Sequence, residues 1–246
     1  MKNLKVGLKE ALSLKRNVNE VKTLKKTTKV MMMIMLLAEV VAFVFGKDYG
    51  FTGWIGLITG IATVMNLILV DQARITNYSW GILSCAVWLL VALNNRLIGD
   101  ICSQTFYLVM QFFGISIWHR DMSKQKNQEE LEPKKIGWKK GLLITIGTVI
   151  LYFIVLATSK TLHGTQVYLD ATLLPLGIVG QILMTYGYKS QWIAWIIDDA
   201  VNVAIWSIQL AHGGAGAITM FALQVIMLLN AFYGMYMWFK PRKEEK

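Results

Sequence analysis

Between Gln191 and Gln209 lie Trp192, Trp195, Asp198, Asp199, Asn202 and Trp206, in a stretch otherwise made mostly of Ile, Ala and Val. Trp192, Trp195, Asp199, Asn202 and Trp206 follow one another at spacings of 3, 4, 3 and 4. At about 100° per residue, that spacing puts all five on one face of a helix. Aromatic planes beside amide and carboxylate groups suit a flat, polar small molecule: rings stack on its faces while polar groups bond its edge. Asp198 and Asp199 point about 100° apart on such a helix, so at most one faces a shared cavity squarely. Asp199 is favoured because it shares the tryptophan face; Asp198 is left to pair with another helix.

A second stretch repeats the spacing. Gln104, Tyr107, Gln111, Gly114 and Trp118 again follow at 3, 4, 3 and 4. Near the C-terminus Gln224, Asn230, Gly234 and Trp238 cluster more loosely, with Tyr233 off that side, and Asn66, Gln72 and Gln181 add further amides. Such groups also have structural uses. Amides between membrane helices form interhelical hydrogen bonds of about 0.6 to 2 kcal/mol. Tryptophans at span ends anchor helices at the membrane interface, the role expected of Trp54, Trp118 and Trp238. Trp192 lies where an anchor would also lie. Trp195, Asp199 and Asn202 lie too deep for anchoring.

The elements that position these residues follow from composition. The chain has 246 residues, 55% hydrophobic and 16% charged, with repeated apolar runs near span length. That pattern predicts an all-α integral membrane protein. Eight spans are expected, at roughly 30–46, 53–70, 77–93, 100–118, 139–158, 171–188, 191–210 and 215–239. A charged loop, 119–138, divides them. The net charge of +10 sits almost wholly between and outside the spans, so it does not form a nucleic-acid face. Segments 1–29, 71–76, 119–140, 189 and 240–246 carry 22 of the 25 Lys and Arg; Lys47, Arg96 and Lys160 lie opposite. The positive-inside rule therefore predicts that both termini are cytoplasmic. Residues 1–28, basic and loosely amphipathic, fit either a helix on an anionic membrane face or a solvated tail.

Several chemistries are disfavoured. No GxSxG, HExxH or GxxxxGK[ST] pattern occurs, and adjacent aspartates cannot form an aspartyl dyad from separate helices. His119, His163 and His212 suggest no metal site, and Cys85 and Cys102 suggest neither a disulfide nor a ligand pair. Neither enzyme activity nor a cofactor is expected. Glu39, alone in the first span, reads as structural glue or a contact to another subunit.

An internal repeat organises the spans. Phe112-Phe113-Gly114-x-x-x-Trp118 recurs 120 residues later as Phe232-Tyr233-Gly234-x-x-x-Trp238, and the same offset pairs Gln104 with Gln224 and Gly60 with Gly180. Residues 53–118 and 171–239 thus read as two copies of a three-helix unit. Residues 139–158 form the linker helix, and one more helix precedes the first copy. Both copies start on the outer side, so the repeat is parallel, as in transporters that hold substrate between their halves. A proton- or sodium-coupled carrier also fits an intramembrane aspartate.

At Gln111 to Trp118, at Trp192-x-x-Trp195 with its following Asp and Asn, and at Asn230-x-x-Tyr233-Gly234-x-x-x-Trp238, the chain resembles the PnuC family of bacterial vitamin transporters. The resemblance spans roughly residues 30–240. It implies a three-plus-one-plus-three bundle similar to the SWEET transporters with an extra N-terminal helix, a homotrimer in the bacterial inner membrane, and a transporter domain over 29–240 with a short tail at 241–246. It further implies facilitated diffusion of nicotinamide riboside, made one-way by cytoplasmic phosphorylation; relatives move thiamine, riboflavin or deoxynucleosides. On that basis Trp192 and Trp195 are expected to flank the ring. Asp199 or Asn202, with Gln104, Gln111, Gln224 and Asn230, are expected to bind carboxamide and ribose hydroxyls, and Tyr233 completes the set. A mononucleotide should be refused, since no Arg or Lys lies inside the spans away from their ends.

Overall fold

The structure, a computed structural model, describes residues 2–47, 49–94, 98–161, 167–212 and 217–240. Arg96, His163 and residues 241–246, all used above, lie outside the described residues.

The described chain forms ten helices: α1 (Lys2–Ala11), α2 (Leu14–Lys22), α3 (Lys26–Gly46), α4 (Phe51–Asp71), α5 (Asn77–Asn94), α6 (Ile98–Met122), α7 (Trp138–Thr161), α8 (Val167–Thr185), α9 (Gln191–Ala211) and α10 (Ala217–Phe239). Seven of them, α3, α4 and α6 to α10, are long and apolar enough to cross a membrane; α5 is a shorter apolar helix. The expected spans match these helices within a few residues, except that α8 starts and ends earlier. Its end follows from Gly187, whose φ of 71° breaks the helix in a conformation that glycine adopts without penalty.

Helices α4, α5 and α6 pack in sequence, as do α8, α9 and α10, and the two groups meet along α6 with α8 and α4 with α10. Helix α7 packs on α8, and Leu156 is its one side chain described as buried. Its remaining apolar face is turned outward, as a lipid-facing strut requires. Helix α3 lies against α4 and α10.

The main buried cluster sits at one end of the bundle. It joins Val70, Ile75, Tyr78, Ile115, Trp118, Leu131, Met184, Trp192 and Trp238. The basic segments 1–29, 71–76, 119–140 and 189 converge on this same end. The 119–138 loop does more than separate the two groups of helices, because it ties their short loops together. The Leu131 amide donates to the Ala73 carbonyl (2.9 Å). Lys134 exchanges backbone bonds with the next turn, donating to Gly187 O (2.8 Å) and accepting from Lys189 N (2.9 Å). Arg74, almost fully buried, pairs with Glu129 and Glu130 of the loop.

Residues 2–24 are neither a detached tail nor a helix lying only on lipid. They fold as a two-helix cap on the bundle. Gly7 lies so close to Ile115 and His119 that a larger residue would collide with α6. Ser13 caps α2, accepting from Arg16 N (3.3 Å). Asn17 accepts from the Trp80 indole (3.0 Å) and the Ser79 hydroxyl (3.2 Å). Glu20, 3% exposed, accepts from the Thr76 amide (3.2 Å) and hydroxyl and from Arg16 Nε (2.8 Å). It thereby satisfies a backbone donor at the start of α5, where a negative charge is favoured. Glu20→Ala should lower stability by about 1–3 kcal/mol, because it leaves the buried Thr76 amide and hydroxyl without their acceptor and takes one of two carboxylate partners from Arg16. Thermal unfolding of the purified protein measures this, and an unchanged midpoint would contradict the assignment.

Candidate functional site

Each half builds its buried end in the same way. The Tyr78 ring of α5 lies on Gly114 of α6, and the Trp192 ring of α9 lies on Gly234 of α10; an added Cβ at either glycine would overlap the ring. The next tryptophan of each half reaches across to the other. Trp118 donates its indole N–H to the Met184 carbonyl of α8 (3.1 Å), and Trp238 donates to the Val70 carbonyl of α4 (2.8 Å). Trp118 and Trp238 also touch each other, with ring centres 6.1 Å apart, and Trp192 meets Trp238 edge to face at 6.2 Å. Trp118 and Trp238 are therefore not interfacial anchors: at 0% and 1% exposure they are core. An indole in a closed layer gains both ring packing and a carbonyl partner, which outweighs an interfacial position. Trp54, half exposed at the opposite end, retains the position of an anchor.

Polar atoms without partners gather in this layer. Tyr78 Oη, Gln111 Oε1, both amide atoms of Gln191, Trp192 Nε1 and Asn230 Oδ1 are buried and make no hydrogen bond, and the buried Asp71 carboxylate has at most the Asn230 amide beside it. Asn230 and Asp71 face one another across the two groups of helices. Gln111 packs on Gly81 of α5 beside Asn66.

Further into the bundle, a second cluster joins α6, α8 and α9. The half-buried Trp195 ring covers Gly180 of α8, and the Tyr107 hydroxyl of α6 sits against Gly177 of the same helix. Asp198 lies within electrostatic reach of Tyr107. Asn202 donates to the Asp198 backbone carbonyl (3.1 Å) and to its carboxylate (3.4 Å), while the other carboxylate oxygen is buried without a partner. A ring and a phenol thus converge from two helices onto a third lined by glycine, and the bonded pair of Asp198 and Asn202 lies on the Trp195 side of α9.

The expected residues divide among these places. Trp195 and Asn202 belong to the second cluster. Trp192, Gln111 and Asn230 belong to the closed layer about one turn or more below it. Gln104 and Gln224 are half-buried, about three turns from Gly114 and Gly234 respectively. Tyr233 lies in another seam, where its hydroxyl bonds Thr27 (2.9 Å) and Thr28 (2.6 Å) of α3. Asp199 is buried at 8% exposure, yet Asp198 is the carboxylate that bonds Asn202 and lies within electrostatic reach of Tyr107. Helix periodicity compares faces within one helix and could not show which face meets α6. Tyr107 shared the face of Gln104 and Gln111, and that was its one signal. Asp71 and Gln191 had none beyond being polar at span ends.

Residues 53–240 match the family model described as nicotinamide mononucleotide transporter. The chain is 24% identical over 214 residues to the nicotinamide riboside transporter PnuC of Neisseria mucosa, covering 86% of this chain and 80% of that one. The PnuC protein of Haemophilus influenzae gives 24% over 212 residues, covering 86% and 88%. Among solved structures, the crystal structure of the vitamin B3 transporter PnuC superposes with a TM-score of 0.69 at 22% identity, covering 87% of this chain and 91% of that one.

Proposed function

Because this chain belongs to the PnuC family of membrane transporters, we propose that it imports nicotinamide riboside as a uniporter. The reading includes eight spans, an N-terminal helix before two parallel three-helix repeats joined by α7, and both termini in the cytoplasm. The reciprocal contacts of Trp118 and Trp238, each reaching into the other half, support the repeat. In this reading the closed aromatic layer is the cytoplasmic gate, and phosphorylation after release makes uptake one-way. The proposed assembly is the homotrimer that the resemblance implies, to be read from the mass of the detergent-solubilised protein.

One observation carries the substrate reading: the cluster of Trp195, Tyr107, Asp198 and Asn202 stands between the halves, just inside the closed layer. Trp195 would stack on the pyridinium, which gains from an indole face and a nearby carboxylate. Asn202 and Asp198 or Asp199 would bond carboxamide and ribose hydroxyls, with Gln104, Gln111, Gln224, Asn230, Trp192 and Tyr233 as the wider candidate set. Alternating access would open the layer. The polar side chains gathered in it, among them Gln111, Gln191 and Asn230, support such a motion, since an opened layer would give them water or substrate as partners.

The family model is named for the mononucleotide and the relatives for the riboside. A phosphate has no counter-charge here, because the spans hold no Arg or Lys between their ends. Calorimetry on the purified protein against riboside, mononucleotide, thiamine, riboflavin and deoxynucleosides tests this. Riboside is expected to bind at least about tenfold more tightly than mononucleotide, the effect of little more than 1.4 kcal/mol. Equal affinities would overturn the reading. A second reading, cation-coupled transport, is favoured by the unpartnered buried oxygen of Asp198. Uptake that collapses with an uncoupler would select it.

A further inference from the structure

The N-terminal cap sorts its charges by face. Both acids point inward: Glu10 pairs with Arg16 (2.8 Å) and His119 (3.3 Å), and Glu20 is buried against Arg16 and Thr76. The lysines point outward, with Lys5, Lys9, Lys15, Lys22, Lys25 and Lys26 all exposed. The inward apolar residues Leu4, Leu8 and Ala11 are used in packing on α6. Others are not: Val6, Leu12, Leu14 and Val18 are 41%, 54%, 82% and 52% exposed. On α2, Leu14, Lys15, Val18 and Lys22 run along one side at helical spacing; on α1, Lys5, Val6 and Lys9 do the same.

We infer that this outer face of α1 and α2 docks on an anionic lipid surface. Lysines beside exposed aliphatic side chains match acidic headgroups above an apolar boundary, and both acids of the cap are engaged by Arg16 and not by those lysines. The position fits, because α2 ends four residues before α3, a helix long and apolar enough to cross a membrane, begins. A soluble acidic partner would match the lysines but leaves Leu14 and Val18 unexplained. The contact also has a route to the bundle. Thr28, just after the cap, accepts from Gln72 of the α4–α5 loop (2.7 Å) and bonds Tyr233 of α10 (2.6 Å). The cap's base thus touches both groups of helices, and lipid that holds it would bear on their relative movement.

Amide exchange on the full chain in nanodiscs tests the docking without any transport substrate. Discs contain phosphatidylcholine alone, or with one third phosphatidylglycerol. Exchange in residues 2–24 should slow on the order of tenfold in the anionic discs at low salt, and the difference should vanish at high salt. A variant with Lys5, Lys9, Lys15, Lys22 and Lys25 each changed to Gln should show no lipid difference. These side chains are exposed, so the fold should hold; α10 exchange reports on it. Should that variant nonetheless unfold, Leu14→Ser with Val18→Ser keeps the charge and should cut the difference several-fold. Identical exchange in both discs, or a difference that survives both variants, would overturn the inference. So would equal slowing by heparin in neutral discs, which would point to a soluble partner.

Discussion

Gly234→Val is expected to abolish uptake and to lower the thermal midpoint of the purified protein. The Trp192 ring occupies the space that any Cβ at this position would need. Neither ring nor backbone can retreat easily, because Trp192 is 1% exposed and packed edge to face on Trp238. Overpacking of this kind costs about 1–3 kcal/mol, and more where a rigid ring is displaced. The displaced ring would also disturb Trp238, whose bond to Val70 links the two halves. Gly114→Val should act in the same way through Tyr78. Gly147→Ala is the control: nothing lies near that glycine on α7, so alanine should be neutral or stabilise by up to about 1 kcal/mol through helix propensity. A Gly234→Val protein as stable and active as the parent would refute the tight layer described here.

Trp195→Ala should weaken riboside binding about 10- to 100-fold while leaving the protein folded. Its ring covers Gly180 and borders the cluster of Tyr107, Asp198 and Asn202, so removal deletes both a stacking surface and, for a cationic ring, an electrostatic contact of up to about 2 kcal/mol. Half-burial means that the loss falls on the ligand more than on the core. Trp54→Ala, at the exposed opposite end, should leave affinity unchanged. Calorimetric titration of both variants separates the two. If Trp195→Ala binds riboside as the parent does, the site lies elsewhere; if no form binds riboside, the substrate reading is at fault and not the site.

The sequence by itself determined the material of this protein: helices, their approximate limits, and the segments gathered at the basic end. These follow from local quantities, namely run length, apolar content and charge, which act residue by residue through transfer from water to lipid. It also marked α9 as chemically unusual, and two helix ends as sharing a Gly-x-x-x-Trp pattern. What it could not hold is any fact that depends on which helix stands beside which. Trp118 and Trp238 carry the signature of anchors, and only their neighbours' carbonyls make them a crossed pair of ties. Leu131 and Lys134 are ordinary loop residues until Ala73 and Gly187 offer backbone partners. Asp198 and Asp199 are indistinguishable in composition, and the packing of α6 on α8 brings Tyr107 to the first of them. The cap is basic in sequence, yet its sorting of acids inward and lysines outward exists only once α6 and Thr76 supply the inner side. Burial, partner and facing are relations between segments far apart in the chain, and tertiary packing alone sets them.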